Sequence, residues 1–350
     1  MEKTNPRKYK RVLIDIKHPA QLNLFSGLAR SLRANGWDVT ISYLNRGKIP
    51  LIIRKEFPGF TLMAVGASKG TRWSIIWQGN IKRTMTFLKL LLANRYNICV
   101  AASSVPLALA CRLTGTPIIQ FYDDPERKRI NAMNARMSTQ LFFPPIVSKT
   151  DKISIFNCLK EWSYLSPKRF TPDPSVLADY GLKPNQYVFV REVSNKSFNY
   201  FNQEDAIVAG FSRQIRSDIK VVLSLEDKTM ASRYPAHWKI LEEPVADIHS
   251  LIYYSKLLVS SGDSMAREAA MLGVPSIYCG IRTMKANQLL IDLNILAHHP
   301  GNSALELINS HISKVFDLQE QMRIRSKLLD DWDDMVIFME DQVNHYKKAN

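Results

Sequence analysis

The sequence predicts an α/β fold of two Rossmann-like, doubly wound domains facing a cleft. Three observations predict it. Short apolar, β-rich runs alternate with stretches of helical period along almost the whole chain. The runs are nearly continuous in apolar residues rather than alternating, as in parallel strands covered by helices on both faces. A proline-rich interval at 144–186, holding Pro144, Pro145, Pro167, Pro172, Pro174 and Pro184, separates two such blocks.

In the first block the strand-like runs fall at 12–16, 39–43, 61–65, 98–102, 117–122 and 141–143. The first is followed by a helix whose Leu22, Phe25, Leu28, Ala29 and Leu32 share one face. In the second block the runs fall at 187–193, 221–225, 239–241, 257–260 and 276–279. Here Ile248, Leu251, Ile252 and Ser255 mark a helical face. The stretch 305–346 reads as one or two amphipathic helices. The expected division is 1–165 for a first Rossmann-like domain and 166–330 for a second. A closing helix, 331–350, is expected to pack back on the first.

With 350 residues, 46% hydrophobic and 23% charged, the chain has the composition of a soluble globular protein. The longest apolar run, 98–111, is too short to cross a bilayer and contains Pro106. The charged segment 1–11 lacks the apolar core of a secretory signal. Cys99, Cys111, Cys158 and Cys279 form no C-x-x-C pair, which suits a reducing compartment without disulfides or structural zinc. The expected location is therefore cytoplasmic. The net charge of +15 is uneven: residues 1–150 carry 24 Lys and Arg against 7 Asp and Glu, or +17, and the remainder carry 23 against 25, or −2. Such a field attracts phosphates, anionic membranes or nucleic acid. The basic residues are scattered and accompany no recognition motif, so no nucleic-acid partner is expected.

Ligands of doubly wound sheets bind beyond the carboxyl ends of the strands, and the loops there hold the candidate groups. The first strand runs into Asp15-Ile-Lys-His-Pro-Ala20. Pro19 suits a first helical turn, which puts His18 at the corner, either as a general base for an acceptor hydroxyl or as a polar cap. Asp15 reads as a structural residue orienting that loop. Asp123, Asp124 and Glu126 follow the run 117–122. They supply a base or bind acceptor hydroxyls, or with Arg127, Lys128 and Arg129 make a charge-balanced surface loop.

No G-x-G-x-x-G follows the first strand and no Walker A loop occurs, which argues against a dinucleotide oxidoreductase or a P-loop NTPase. In the second block Ser260, Ser261, Gly262, Asp263 and Ser264 join a strand to a helix, with Ser264 read as its N-cap and Gly273 as its stop. Small polar residues at a helix N-terminus make a phosphate cradle. Glu268, one turn in, is placed to accept from ribose hydroxyls. Arg191 ends the run 187–190, where a guanidinium clamps a diphosphate, and Ser194 and Glu226 lie in neighbouring loops. No D-x-D pattern or His cluster points to a metal. The stretch 73–95 interleaves Trp73, Ile75, Ile76, Trp77, Phe87 and Leu88 with Lys82, Arg83, Lys89 and Arg95. It reads as a core-packed helix with a solvated basic face, or as a peripheral contact with an anionic membrane.

Four segments together resemble a family of GT-B-like proteins long catalogued as a domain of unknown function, related to nucleotide-sugar 2-epimerases and glycosyltransferases of surface polysaccharides. They are Asp15-Ile-Lys-His-Pro-Ala-Gln-Leu-Asn-Leu-Phe25, Arg169-Phe-Thr-Pro-Asp-Pro-Ser-Val-Leu177, Val190-Arg-Glu-Val-Ser194 and Gly262-Asp-Ser-Met-Ala-Arg-Glu-Ala-Ala-Met-Leu-Gly-Val-Pro275. The opening motif usually reads D-I-x-H-P-A-H-V-H-x-F, so Gln21 and Asn23 stand where the family has histidines. The usual tryptophan and histidine after Arg-x-Val-Ser are also replaced here. The resemblance implies that the second domain holds the nucleotide sugar, with Met265 part of the donor loop, and that the first holds a glycan or lipid-linked acceptor. It implies a glycosyltransferase with no cofactor beyond its nucleoside-diphosphate sugar. Epimerases of this fold carry a histidine–arginine pair after the second domain's first strand, whereas this chain has Arg191 but no histidine between 19 and 236. A 2-epimerase and a non-catalytic sugar-nucleotide binder are the alternatives.

Overall fold

A computed structural model describes residues 10–67, 80–195, 200, 203–242, 245 and 247–347. The chain divides into two compact units, one formed by 1–164 with 333–350 and the other by 165–332.

The first unit is built on a seven-stranded parallel sheet: β1 (Lys10–Ile16), β2 (Trp37–Asn45), β3 (Thr61–Ala67), β4 (Ile98–Ala101), β5 (Ile118–Phe121), β6 (Gln140–Phe143) and β7 (Ile153–Ile155), in the order β3-β2-β1-β4-β5-β6-β7. Val12, Leu13, Ile14 and Ile16 of β1 are all fully buried, because helices cover both faces of a central parallel strand. The helix Pro19–Ala34 turns Leu22, Leu24, Phe25, Leu28, Ala29 and Leu32 inward. Against it packs the helix Met335–Tyr346. A Cβ on Gly27 would lie 2.8 Å from Val336 Cγ2, and Glu340 accepts from Ser31 and Asn35. Phe338 meets the rings of Phe142 and Phe156, with centroids 5.6 and 6.0 Å away.

The helix Arg83–Asn94 is the described part of the tryptophan-rich stretch, and Trp73, Ile75, Ile76 and Trp77 lie outside the described residues. Phe87, Leu90 and Leu91 are buried while Lys82, Lys89 and Arg95 are exposed, so this part is a core-packed helix with a basic outer face. Arg83 departs from that reading: it is buried against Asp15.

The second unit holds a six-stranded parallel sheet of β8 (Tyr187–Glu192), β9 (Lys220–Leu225), β10 (Lys239–Ile240), β11 (Leu257–Ser260), β12 (Ser276–Tyr278) and β13 (Ala297–His298), ordered β10-β9-β8-β11-β12-β13. In both units the order reverses beside the first strand, between β1 and β4 and between β8 and β11, which is where a doubly wound sheet opens a crevice. One face of the second sheet is covered by short 3-10 turns, Val208–Gly210 and Ser212–Gln214, and by the helix Leu305–Ser313. Val208, Phe211, Ile308 and Ile312 pack there on Val188, Val190 and Val259.

The chain beyond 305 forms three helices, Leu305–Ser313, Leu318–Asp331 and Met335–Tyr346, where the periodicity predicts one or two. Asp317 and Asp334 each cap a fresh N-terminus, accepting from Glu320 N and from Val336 and Ile337 N. All four cysteines are buried free thiols.

Candidate functional site

In the second unit the ends of β8 and β11 are laced together. Arg191 stands in register with Ser224 on one side and Ser260 on the other. Its Nη1 donates to Ser224 Oγ at 2.9 Å, and its Nη2 lies 3.8 Å from Glu226 Oε2. Glu226 Oε2 also accepts from the Ser194 amide at 3.1 Å. The Ser261 amide donates to Arg191 O at 3.0 Å, and Ser261 Oγ accepts from the Val193 amide at 3.0 Å. A Cβ on Gly262 would sit 2.4 Å from Val193 Cγ1, so only glycine lets the two loops approach this closely. Arg191, Ser194, Glu226, Ser260 and Ser261 are thus brought to one sheet edge, at the head of the helix Asp263–Met271.

The loop is held from within. Ser260 Oγ donates to Gly262 O at 2.6 Å and accepts from its amide at 3.0 Å. Ser264 is not the N-cap; Gly262 occupies that position, and Asp263 Oδ1 accepts from the Ser264 amide at 3.0 Å. Asp263 is buried, and its Oδ2 lies 3.4 Å from Arg267 Nη1 and 3.2 Å from Arg282 Nη1, while Tyr200 donates to Oδ1. Ser260, Ser261 and Asp263 therefore shape the loop from the inside, and the half-buried Ser264, Met265 and Glu268 carry its accessible surface.

Sequence reasoning missed four of the supports: Tyr200, Arg267, Arg282 and Gln203. Gln203 donates to Ser261 O at 3.0 Å and accepts from the Ile281 amide at 3.3 Å. Arg267 lies four residues beyond Asp263, a helical ion-pair spacing that flags it; the other three come from distant loops with no local signal. His249 was missed for the same reason. Its Nε2 lies 3.6 Å from Glu268 Oε2. Burial alone would lower the His249 pKa, but the hydrogen bond and charge of Glu268, with Asp247, outweigh it and raise the pKa.

In the first unit Asp15 is fully buried at the end of β1, as its structural reading requires. Its Oδ1 accepts from Arg83 Nη2 at 2.6 Å and Ser42 Oγ at 3.0 Å, and its Oδ2 accepts from Ser104 Oγ at 2.7 Å. The next loop crosses to β4. Lys17 Nζ donates to Ser103 O at 2.6 Å, and Gln21 accepts from the Lys17 amide at 2.7 Å while donating to Ala102 O at 3.0 Å. Ser103 itself has a left-handed φ of 56°. Burial, with Arg83 and Arg127 nearby, lowers the Lys17 pKa to about 8 against the opposing charge of Asp15.

His18 is the N-cap of Pro19–Ala34, its Nδ1 accepting from the Ala20 amide at 3.2 Å. The neutral ring therefore carries its proton on Nε2. Removal of water by the surrounding chain, then the positive charges of Lys160, Arg46 and Lys17, lower its pKa. Asp124 follows β5 and accepts from Arg127 Nε at 2.9 Å; Asp123 pairs with Lys160, and Glu126 is exposed. His18 and these carboxylates come from strands separated by β4. Among the described residues no three His, Cys, Asp or Glu side chains converge as a metal site, and no helix is long and apolar enough to cross a membrane.

Comparison with known proteins bears on these loops. The family described as Protein of unknown function (DUF354) matches residues 10–348. An uncharacterised protein of Methanocaldococcus jannaschii is 21% identical over 314 residues, 85% of this chain and 89% of its own length. Glycosyltransferase VinC, solved in complex with dTDP, is 13% identical with a TM-score of 0.67 over 96% of this chain and 99% of that one. The UDP-GlcNAc 2-epimerase of Methanocaldococcus jannaschii is 15% identical with a TM-score of 0.67, again over 96% and 99%. At such identities the likeness to the solved structures is one of fold, and that fold is GT-B.

Proposed function

We propose, from the premise that this chain belongs to the family described as Protein of unknown function (DUF354) and has the GT-B fold, that it is a glycosyltransferase. It moves a sugar from a nucleoside-diphosphate sugar to a surface-polysaccharide or lipid-linked glycan acceptor. The observation that carries the reading is the Arg191 guanidinium set in register beside the Ser260–Ser264 loop, at the crevice of the second sheet and at a helix N-terminus. As the bond from the anomeric carbon to the diphosphate breaks, negative charge grows on the leaving oxygen. The guanidinium and the positive end of the helix Asp263–Met271 stabilise it without a metal. Ser264 and Met265 line the donor, Glu268 accepts from the ribose, and Ser194 and Glu226 hold Arg191 in place.

The first unit takes the acceptor. His18 receives the proton of the attacking hydroxyl, and Asp124 and Glu126, on the loop after β5, bind other hydroxyls of the acceptor. A lowered pKa keeps His18 in its neutral, proton-accepting form at neutral pH. Because Nδ1 holds the Ala20 amide, proton uptake releases that cap. The cytoplasmic face of a membrane is the setting, with the basic region 73–95 as its contact.

Thermal stabilisation by nucleoside diphosphates and their sugars tests the donor site. A ligand at a hundred times its Kd adds about 2.7 kcal/mol, a rise of several degrees in melting point. The expected result is a rise with one nucleotide family that is absent in Arg191→Ala. No rise with any nucleotide overturns the proposal. The epimerase reading has one observation in its favour, the equal TM-score to the UDP-GlcNAc 2-epimerase. Interconversion of two nucleotide sugars without any acceptor would establish it instead.

A further inference from the structure

A cavity of about 960 Å³ opens in the second unit beside the candidate donor loop, and none of its lining residues belongs to that loop. Its walls come from the connections that follow β8, β9, β12 and β13, so it too lies on the carboxyl side of the sheet. Gln203 ties it to the donor loop, bonding Ser261 O on one side and the amide of the wall residue Ile281 on the other.

The lining has three chemistries. Arg213 and Arg233 are exposed cations with no ion pair or hydrogen bond among the described residues. Two unpaired guanidiniums facing one space attract an anion and bind a carboxylate or phosphate in fork geometry. Glu204, Asp205 and Asn302 bring carboxylate acceptors and an amide, so the lining is charge-balanced as a whole and the anionic group of a ligand belongs at the two arginines. Asp205 is half-buried in the lining, and its carboxylate accepts from a hydroxyl donor where it meets the space. Ile281, 50% exposed, and Ile207 supply an apolar wall, and Gly301, with nothing within 4 Å of where a Cβ would stand, leaves the space open. Among the described residues no aromatic side chain lines the cavity, and its walls favour a saturated ring over a stacked nucleobase. A saturated ring is a better match: its C–H face lies on isoleucine, its hydroxyls reach Asp205 and Asn302, and its negative group meets the arginines.

We propose that this cavity is a binding site for a small hydroxylated anion, a sugar bearing a carboxylate or a phosphate. The site is separate from the donor loop and does not rest on the glycosyltransferase reading.

Titration calorimetry on the full chain, without nucleotide, tests it with glucuronate, glucose 1-phosphate, glucose and inorganic phosphate. Saturable binding is expected for glucuronate, glucose 1-phosphate or both, with glucose and inorganic phosphate weaker by about tenfold or more. Whichever of the first two binds names the anionic group. Arg213→Ala and Arg233→Ala, at exposed positions that leave the core intact, are each expected to weaken binding by about tenfold. Asp205→Asn is expected to narrow the preference for the sugar anion over inorganic phosphate, because only the sugar has hydroxyls to lose. Arg191→Ala should bind as the parent protein does, which separates this site from the donor loop. The proposal is overturned by no binding of either sugar anion, by equal binding of inorganic phosphate, or by arginine variants that bind like the parent.

Discussion

Removing the Arg83 guanidinium would leave the Asp15 carboxylate buried with, among the described residues, the two hydroxyl donors Ser42 and Ser104. Breaking a buried ion pair from one side costs about 3–5 kcal/mol. Arg83→Met is therefore expected to lose stability of that order in denaturant titrations, and Asp15→Asn with Arg83→Met less than the sum of the two single losses. Asp15 was legible as a structural residue because it ends an apolar strand. Arg83 was not, since its partner lies 68 positions away and its neighbours Lys82 and Lys89 gave it the look of a solvated face. Gln21 illustrates the reverse. It stands where the family has a histidine, and the structure gives it a task of its own: its two amide atoms bridge the β1 loop to the β4 loop. If His18 takes the acceptor proton, kcat should fall with pH only below the usual histidine midpoint of about 6.5, following its lowered pKa. A fall that sets in above that point would refute the assignment.

At the scale of elements, the strand-loop-helix of 257–275 was the strongest signal in the sequence, and its turn rests on two glycines. Gly273 has φ +73°, and a Cβ there would meet Gln321 O at 2.5 Å. Gly273→Ala combines left-handed strain of about 1–2 kcal/mol with a clash against backbone, so a loss above about 2 kcal/mol is expected in thermal or denaturant unfolding. The pair Glu268–His249 joins this helix to Ile248–Tyr253. Folding raises the His249 pKa, so the charged contact stabilises fully below the unfolded value near 6.5 and is lost as pH rises through the folded value. The stability difference between the parent protein and His249→Gln should therefore shrink as pH climbs from about 6 to about 8. A constant difference would deny the charged contact. Strands β7 and β13 are half-buried edge strands, and Ile153-Ser-Ile155 and Ala297-His298 carry no continuous apolar run for a sequence reading to find. The break at 314–317 was missed because Asp317 looks like an ordinary surface acid until its side chain is seen capping a helix.

For the whole molecule, the charge split is the feature that any partner meets first: +17 over residues 1–150 and −2 over the rest. Sedimentation with vesicles containing anionic lipid, compared with neutral ones, is expected to pull down the protein from dilute buffer. Release is expected toward about 1 M salt, where the screening length falls to about 3 Å. Equal sedimentation with neutral vesicles would discount the basic surface. Two parallel-sheet units were legible from their apolar runs.

The chain leaves the first unit at Tyr164, builds the second, and returns at Asp333 to lay Met335–Tyr346 against Pro19–Ala34. The second unit is thus an insertion within the first rather than an appendix to it. A fragment ending at Tyr164 would bare the seat of Val336 beside Gly27 and strand the Ser31 and Asn35 donors that Glu340 receives. The economical way to isolate the first unit is a rearranged gene in which the segment from Asp333 is spliced directly behind Tyr164, closing the excision with a short bridge.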